Sequence, residues 1–278
     1  MDRLTFRQIH QEPGLYECRT SGSTGTAVVV QKYEAQRRNF LRHVALLHNW
    51  HELDPKAITL QLRPGYDYPE LHGNTVVSSK PVNGNFKQLM SYPSLFPEDL
   101  SKFDKIISYG EAWTGVGIDL YSSEEFGYIA IQCPFNKEHM HVMSNLRIRF
   151  SDKGMLITDL THPYLKDYEI GDYAEPVECG CRIPLPAITH VKGRIRNMIR
   201  MPDGTTNWPC VGLYNYMEIK RFQVFQETLT KLRVHIDGIM PPEALDNMRK
   251  SLGYDFDIEV VHGDFKPGKF EEFISELE

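Results

Sequence analysis

The segment from Thr20 to Thr26, with the sequence TSGSTGT, combines hydroxyl side chains with glycines. Glycines allow neighbouring backbone N–H groups to turn toward one point, and hydroxyls add further donors there, so such a segment can surround a phosphate. A flexible linker has a similar composition, but this run leads directly into the apolar run Ala27–Val30, which is typical of a strand. It is not the lysine-containing phosphate loop, because Thr26 follows its last glycine. We therefore predict that it binds a triphosphate.

A second candidate site consists of thiols and imidazoles from two distant segments. Cys179 and Cys181 flank a glycine on a predicted tight turn, and Cys133 is followed by His139 and His141. Three cysteines and one histidine form a ligand set of structural zinc. The spacing matches no common zinc finger, so the fold would have to assemble the site. The alternative is that Cys133 is a core thiol and the other two thiols are free and reduced.

The bulk composition limits the classes of partner. The 278 residues are 41% hydrophobic and carry a formal charge of -6, so a broad basic surface for nucleic acid is not expected, although a small anionic ligand is compatible. The sequence has no apolar stretch of membrane-spanning length and does not begin like a signal peptide. The odd number of cysteines argues against a disulfide framework. We expect a cytoplasmic protein without nucleic-acid or membrane partners.

The elements that must position these residues fall into two parts. Residues 34–50 have apolar positions at helical spacing and predict an amphipathic helix. Residues 57–150 alternate short apolar runs with glycine and proline, which indicates an α/β or α+β core with few long helices. Those runs are Ala57–Leu62, Lys105–Tyr109, Gly117–Tyr121, Tyr128–Cys133, His141–Met143 and Leu146–Phe150.

A different pattern begins after residue 193. Pro202-Asp203-Gly204 is a turn signal between two short runs, at 197–201 and 206–209. Strands are then predicted at 223–226, 231–236 and 257–261, with a helix from the proline pair at 241 to Leu252. We place the domain boundary between residues 193 and 194, so that a small α+β domain of residues 194–278 follows a larger domain of residues 1–193.

Further stretches follow the hydroxyl- and glycine-rich run in a recognisable order. They are Ser108–Glu111 (SYGE), Tyr121–Gly127 (YSSEEFG), Tyr168–Asp172 (YEIGD), Val191–Arg194 (VKGR) with Met201–Gly204 (MPDG), and Pro267–Phe270 (PGKF). Together these segments resemble the motifs of the adenylate-forming (ANL) superfamily. Within it, they resemble the branch of phenylacetate-CoA ligases and capsule-biosynthesis adenylating proteins. The resemblance extends over nearly the whole chain.

The resemblance implies a nucleotide site built from all of these segments. Glu125 would orient a magnesium ion, Asp172 would bind the ribose hydroxyls, Arg194 would reach ribose or phosphate, and Lys269 would be the catalytic lysine. The remaining nucleotide-binding residues implied are Thr20, Ser21, Gly22, Ser23, Thr24, Gly25, Gly110, Glu111, Tyr121 and Ser122. Some members of this branch bind structural zinc through a similar Cys/His set, in which His141 fits the pattern better than His139.

The fold implied is a mixed α/β (α+β) architecture with a larger N-terminal adenylate-forming core and a small mobile C-terminal lid. Because Lys269 lies in the small domain, that domain would have to close about Gly193-Arg194 to deliver it. The sequence also departs from the family. Its N-terminal part is shorter, a helical insert before Tyr121 is missing, and the acids Glu124 and Asp167 replace a threonine and an arginine. Glu124 adds negative charge beside the expected phosphates.

The expected activity is ATP-dependent, AMP-forming activation of a small, aromatic or amino-aromatic carboxylic acid. Coenzyme A, or another thiol or amine, would accept the acyl group. ATP or AMP, Mg²⁺, structural Zn²⁺ and coenzyme A are the expected cofactors, and a homodimer would cover apolar surface exposed by the shortening. The alternative is a degenerate member of the same scaffold, a hydrolase or cyclisation catalyst without nucleotidyl transfer. A third reading is a nucleotide-sensing or partner-binding protein.

Overall fold

The computed structural model describes residues 1–19, 28–63, 66, 68–151, 154–194, 198–207, 213, 216, 218–263, 265 and 273–277. The chain divides into two compact units, Met1–Gly193 and Arg194–Glu278. This division lies between the same two residues as the boundary predicted from the sequence. Within the described ranges, every helix is too short or too polar to span a bilayer.

Among its described residues, the first unit contains two α-helices, a 3-10 turn and most of the strands. The helical segments are α1 (Arg3–Arg7), α2 (Glu34–His51) and the 3-10 turn Pro93–Leu95. The strands are β1 (Tyr16–Arg19), β2 (Val29–Lys32), β3 (Thr59–Leu62), β4 (Glu70–His72), β5 (Thr75–Ser78), β6 (Gln88–Ser91), β7 (Lys105–Tyr109), β8 (Ile118–Ser123), β9 (Gly127–Gln132), β10 (His139–Val142), β11 (Leu146–Ser151), β12 (Gly154–Asp159), β13 (Tyr168–Glu169), β14 (Asp172–Tyr173), β15 (Pro176–Val177) and β16 (Ala187–Thr189). A short strand, β17 (Gly193–Arg194), lies at the division between the units.

A ten-stranded mixed sheet forms the centre of this unit, in the order β15-β16-β10-β9-β8-β7-β6-β3-β5-β4. Strands β5, β3, β6, β7 and β8 pair in parallel, whereas the pairs beyond them are antiparallel. The carboxyl ends of the parallel strands therefore lie along one edge. In open α/β sheets, ligands bind outside this edge.

Two smaller antiparallel structures accompany the large sheet. Strands β1 and β2 pair with Tyr16 opposite Lys32 and Arg19 opposite Val29, so the hydroxyl- and glycine-rich run connects a hairpin. Strands β11, β12 and β13 form a three-stranded sheet, and β13 and β14 carry the YEIGD segment. The sheets pack through fully buried residues such as Leu120, Ile131, Met140, Met155 and Tyr168.

Helix α2 spans the predicted segment, but its buried face is more polar than an amphipathic pattern predicts. Gln36, Asn39 and His43 are buried, whereas Phe40 is 42% exposed. The amides of Gln36 and Asn39 donate to the Thr161 hydroxyl at 3.0 and 2.9 Å. Gln36 and Asn39 are stable at this face because Thr161, in the loop after β12, supplies their hydrogen-bond partner.

In the part of the second unit that the structure describes, a four-stranded sheet and a two-stranded pair accompany one helix. It contains β18 (Ile199–Arg200), β19 (Thr206–Asn207), β20 (Ile219–Gln226), β21 (Lys231–Gly238), α3 (Pro242–Leu252), β22 (Asp257–His262) and β23 (Phe273–Ser275). The sheet order is β22-β21-β20-β23, and β18 pairs with β19 across the predicted turn. Helix α3 begins at a proline pair and ends at Gly253 in a left-handed conformation. The mixed α+β class predicted from the sequence is confirmed.

Candidate active site

Tyr121 and Asp172, from two of the sequence motifs, meet in the folded chain. Tyr121 is a buried residue of β8, and its hydroxyl donates a 2.7 Å hydrogen bond to Oδ2 of Asp172. Asp172 is half-buried and follows Gly171, which has a positive φ of 78°. Glycine adopts this conformation without the strain that a Cβ would cause, so the turn can place Asp172 at the end of Tyr121.

The same two motifs are joined a second time through Glu125. This residue lies on the turn between β8 and β9 and is 2% exposed. Its Oε1 accepts a 3.0 Å hydrogen bond from the hydroxyl of Tyr168, which is itself fully buried. A buried carboxylate is stable only with such partners. The YSSEEFG and YEIGD segments are therefore held together by two tyrosine-carboxylate pairs in the first unit.

The neighbouring Glu124 has a different environment. It is exposed, and Oε1 lies 3.9 Å from Nη2 of Arg63. Arg63 follows β3 and Glu124 follows β8, and strands β6 and β7 lie between these two in the sheet. The pair therefore extends across the carboxyl edge of the parallel strands. The negative charge of Glu124 has a cation beside it, although an exposed ion pair of this kind stabilises the fold little.

Gly110 and Glu111 form a close turn after β7. Gly110 has a positive φ of 78°, and a Cβ there would lie 2.5 Å from the ring of Tyr92. The carboxylate of Glu111 accepts hydrogen bonds from the backbone N–H and the hydroxyl of Ser94, at 2.9 and 2.8 Å. Glu111 thus connects this turn to the 3-10 turn by hydrogen bonds. Ser122 follows Tyr121 in β8 and is half-buried.

Three other sequence-derived candidates are described in part or not at all. The proposed phosphate-binding residues Thr20–Gly25 and the proposed catalytic Lys269 lie outside the described residues. The backbone of Arg194 is in β17, but its side chain is outside the description. These assignments stay predictions.

Asp167, at the position where the resembled motif commonly has an arginine, has a φ of 45°. It pairs with Arg149 at 3.0 Å.

Lys32 was not singled out from the sequence, but it contacts the Glu125 turn. It is the last residue of β2 and is 4% exposed, and its ammonium donates to the backbone carbonyl of Glu125. Burial lowers the pKa of Lys32, opposed by Cys18, Asp159 and the two glutamates. The strand pattern contained a signal for the burial of Lys32. Val28 and Val30 are buried, and because side chains alternate along a strand, position 32 is the next one to point inward.

A charged pair with no local sequence signal lies at the other end of β8. His190 Nδ1 donates to Asp119 Oδ2 at 2.6 Å, and Nε2 donates to the Lys137 carbonyl at 2.7 Å. Trp113 stacks on the imidazole with ring centroids 4.0 Å apart. Burial favours the neutral ring, but the bonds to Asp119 and Lys137 outweigh it and raise the pKa of His190.

Four of the five proposed metal ligands come together in the structure. One ligand atom each from Cys133, His141, Cys179 and Cys181 lies within 4.8 Å of the other three. The sulfurs of Cys133 and Cys179 are 3.6 Å apart, close to the roughly 3.8 Å expected for two sulfurs on a tetrahedral zinc. His139 is not part of this group, and its Nδ1 lies 3.1 Å from the amide of Asn136.

The surroundings of the Cys/His cluster fit a divalent cation. The Nδ1 of His141 bonds the carbonyl of Leu185, which directs Nε2 toward Cys181 at 3.2 Å. Backbone N–H groups of Phe135 and Ile183 donate to Cys133 and Cys181. Without a cation, burial and the neighbouring thiols raise the pKa of Cys179 to about 12. A bound zinc would instead favour the thiolates.

Comparison with solved structures identifies similar folds. A 2-hydroxyisobutyryl-CoA ligase in its postadenylation state is 12% identical, with a TM-score of 0.70 over 98% of this chain and 75% of that chain. A structure of the fatty acyl-adenylate ligases from E. coli and L. pneumophila is 12% identical, with a TM-score of 0.60 over 94% and 68%. An O-succinylbenzoate coenzyme A synthetase from Bacillus subtilis, in complex with AMP, is 11% identical, with a TM-score of 0.59 over 91% and 66%.

The sequence was also compared with protein-family models and with curated proteins. No family model and no curated protein matches the chain. At 11–12% identity, these structural similarities establish architecture. The chain therefore shares its fold with these solved ligase structures.

Proposed function

We propose that this protein activates a small carboxylic acid with ATP, forming an acyl-adenylate and pyrophosphate. One observation carries the proposal: Tyr121 meets Asp172, and Glu125 meets Tyr168, at hydrogen-bond distance. The motif resemblance assigns adenine to Tyr121, ribose to Asp172 and magnesium to Glu125, and Tyr168 is the hydrogen-bond partner of Glu125. The similar structures include a ligase with a bound acyl-AMP and a synthetase with bound AMP.

The chemistry of each residue suits its proposed role. A carboxylate accepts two hydrogen bonds, as the vicinal diol of ribose requires, and Asp172 supplies one next to the aromatic ring of Tyr121. Carboxylate oxygens are the ligands that Mg²⁺ prefers, and Glu125, with Glu124 beside it, would hold the ion. Magnesium bound there would reduce the negative charge of the polyphosphate.

The reaction requires fixed positive groups around the α-phosphate. When a carboxylate oxygen attacks the α-phosphorus, a P–O bond forms, the bond to the β-phosphate oxygen breaks, and pyrophosphate leaves with the electron pair. Negative charge spreads over the equatorial oxygens during this step, and fixed donors stabilise it. Thr20–Gly25 are proposed to hold the β- and γ-phosphates, with Arg194 and Lys269 as the cations at the reacting phosphate.

We propose that the acid lies along the carboxyl edge of the parallel strands. Tyr92 and Tyr109 stack edge-to-face there, with centroids 5.0 Å apart, and Arg63 crosses the same edge. Aromatic side chains favour an aromatic substrate. Trp113, another aromatic residue of the first unit, packs on His190 and is not part of this proposal. Coenzyme A is the proposed acceptor of the acyl group, as the names of the similar ligases suggest.

We further propose a structural zinc at Cys133, His141, Cys179 and Cys181. This cluster, together with the phosphate-loop and hinge sequences, is the reason for proposing the phenylacetate-CoA ligase branch. The acids at 124 and 167, together with the shortened N-terminal part and the missing helical insert, suggest the alternative hydrolase. Each of these acids has an arginine partner in the structure, so we favour adenylation.

Pyrophosphate release tests the proposal. The protein is incubated with ATP, Mg²⁺ and a panel of benzoate, phenylacetate, aminobenzoate and short aliphatic acids. Release that requires ATP and one of the acids is the expected result. The absence of release with every acid, combined with the absence of an ATP-dependent thermal shift, would contradict the proposal. Turnover of a substrate without nucleotide would support the hydrolase.

A further inference from the structure

Lys32 is a nearly buried ammonium next to the proposed nucleotide site. Its side chain extends from the last position of β2 to the backbone carbonyl of Glu125. Among the residues that the structure describes, this carbonyl is its one hydrogen-bond acceptor. Burying an ammonium is costly unless nearby charges compensate for the lost hydration, so this position for a lysine needs an explanation.

The contact joins two separate parts of the proposed site. Strands β1 and β2 flank the run at 20–27, and Lys32 lies opposite Tyr16 at the open end of that hairpin. Glu125 lies on the β8–β9 turn, 93 residues away in sequence. The Lys32 side chain therefore links the hairpin directly to the turn that carries Glu125.

The charges around Lys32 favour a second contribution. Glu124 and Glu125 both act electrostatically on its ammonium, and Glu124 also has Arg63 as an ion-pair partner at 3.9 Å. Two adjacent carboxylates repel a polyphosphate, and a fixed positive charge behind them reduces this repulsion. Apolar residues of similar size would fill the space but would leave the repulsion.

We propose that Lys32 is a positioning residue for Mg·ATP. It holds the Glu125 turn against the β1–β2 hairpin, and its charge offsets Glu124 and Glu125 so that the metal-bound polyphosphate can bind. The inference rests on the proposed function and adds a residue to it that none of the sequence motifs contains.

Calorimetric titration with two nucleotides tests this role. Binding of the Mg²⁺ complex of α,β-methylene-ATP depends on the residues around the metal and the phosphates. Binding of AMP without metal depends on Tyr121 and Asp172. For Lys32→Met, the Kd of the Mg²⁺ complex should rise about tenfold or more, as expected for loss of a charged hydrogen-bond donor. The Kd of AMP should change less than about twofold. The control is Lys56→Met, at an exposed lysine, which should bind both nucleotides like the wild type.

A second variant covers the case in which Lys32→Met does not fold. Lys32→Gln keeps a hydrogen-bond donor for the Glu125 carbonyl but removes the charge, and it should show the same selective loss. Folded variants that bind the Mg²⁺ complex with wild-type affinity, or that lose as much affinity for AMP as for the Mg²⁺ complex, would overturn this inference. The proposed function would still stand. A wild-type protein that does not bind the Mg²⁺ complex would overturn the proposed function as well.

Discussion

The hydroxyl of Tyr121 donates a 2.7 Å hydrogen bond to the carboxylate of Asp172, although the two residues are 51 positions apart in the sequence. The two residues come from β8 and β14, which belong to different sheets. Their proximity depends on the large sheet and the YEIGD segment packing together. An adenosine recognised by both residues would therefore report the correct assembly of the first unit.

Removing the carboxylate of Asp172 should weaken nucleotide binding. Asp172→Ala would leave the ribose hydroxyls without their acceptor, and we expect a loss of about 1.5–3 kcal/mol, or at least about tenfold in the Kd of AMP. Tyr121→Phe keeps the stacking ring and should cost less. Fluorescence titration with a labelled AMP measures both. Equal Kd values for wild type and Asp172→Ala would mean that the ribose binds elsewhere.

Glu125 and Tyr168 provide a test that separates metal binding from stability. Tyr168→Phe leaves a 2% exposed carboxylate with one donor fewer and should reduce the free energy of unfolding by about 1–3 kcal/mol. Glu125→Gln keeps the size of the side chain but should raise the Mg²⁺ concentration needed for half-maximal pyrophosphate release. Urea unfolding and Mg²⁺ titration are the two measurements. An unchanged Mg²⁺ requirement in Glu125→Gln would exclude its metal role.

The Cys/His cluster should contain one zinc per chain. We expect Cys179→Ser to lose the metal, because one thiolate ligand is missing, whereas Cys18→Ser should retain it because Cys18 is outside the cluster. Each kcal/mol of unfolding free energy that is lost with the metal should lower the Tm by about 2–4 °C in a unit of this size. Elemental analysis of purified protein and thermal unfolding with and without a chelator measure these effects. Metal-free wild-type protein whose Tm does not change on adding zinc would argue for free thiols.

His190 should make stability depend on pH in a defined direction. Its pKa is raised in the folded state, so the protonated ring stabilises the fold fully below the unfolded value of about 6.5. This stabilisation is lost as pH rises through the raised folded-state pKa. Asp119→Asn should remove most of the dependence, whereas His72→Gln, at an exposed histidine, should leave it unchanged. Urea unfolding from pH 5 to pH 9 measures the free energy of unfolding at each pH. If this free energy changed with pH in Asp119→Asn as it does in the wild type, the pH dependence would not come from the His190–Asp119 pair.

Two glycines with similar backbones allow the packing at Gly110 to be isolated. Both Gly110 and Gly115 have positive φ, at 78° and 88°, but a Cβ at Gly110 would lie 2.5 Å from Tyr92, whereas the space at Gly115 is open. Both alanine variants should be strained. Gly110→Ala should lose about 1–3 kcal/mol more, because the Tyr92 ring must move. Equal losses of unfolding free energy in the two variants would mean that the ring moves without cost.

Elements with strong local signals were predictable from the sequence. Helix α3 has prolines at its start and a glycine at its end, and the turn at Pro202–Gly204 joins two strands as expected. The pairing of motifs such as Tyr121 with Asp172 required the family resemblance as well. Each of these motifs can be identified from its own residue types, without knowledge of what the segment contacts in the fold.

Contacts between distant residues were not predictable in the same way. Arg63 with Glu124, Lys32 with Glu125 and Asp119 with His190 join residues that no short motif connects. They depend on sheet order, which tertiary packing decides. The polar buried face of α2 was missed for a related reason, because Thr161, its partner, lies beyond β12.

A crystal structure of the protein soaked with AMP tests the central claim most directly. We predict that the adenine lies against the ring of Tyr121 and that the ribose hydroxyls bind Asp172 within hydrogen-bond distance. Electron density for AMP at another place, or none at this site at saturating AMP, would contradict the account.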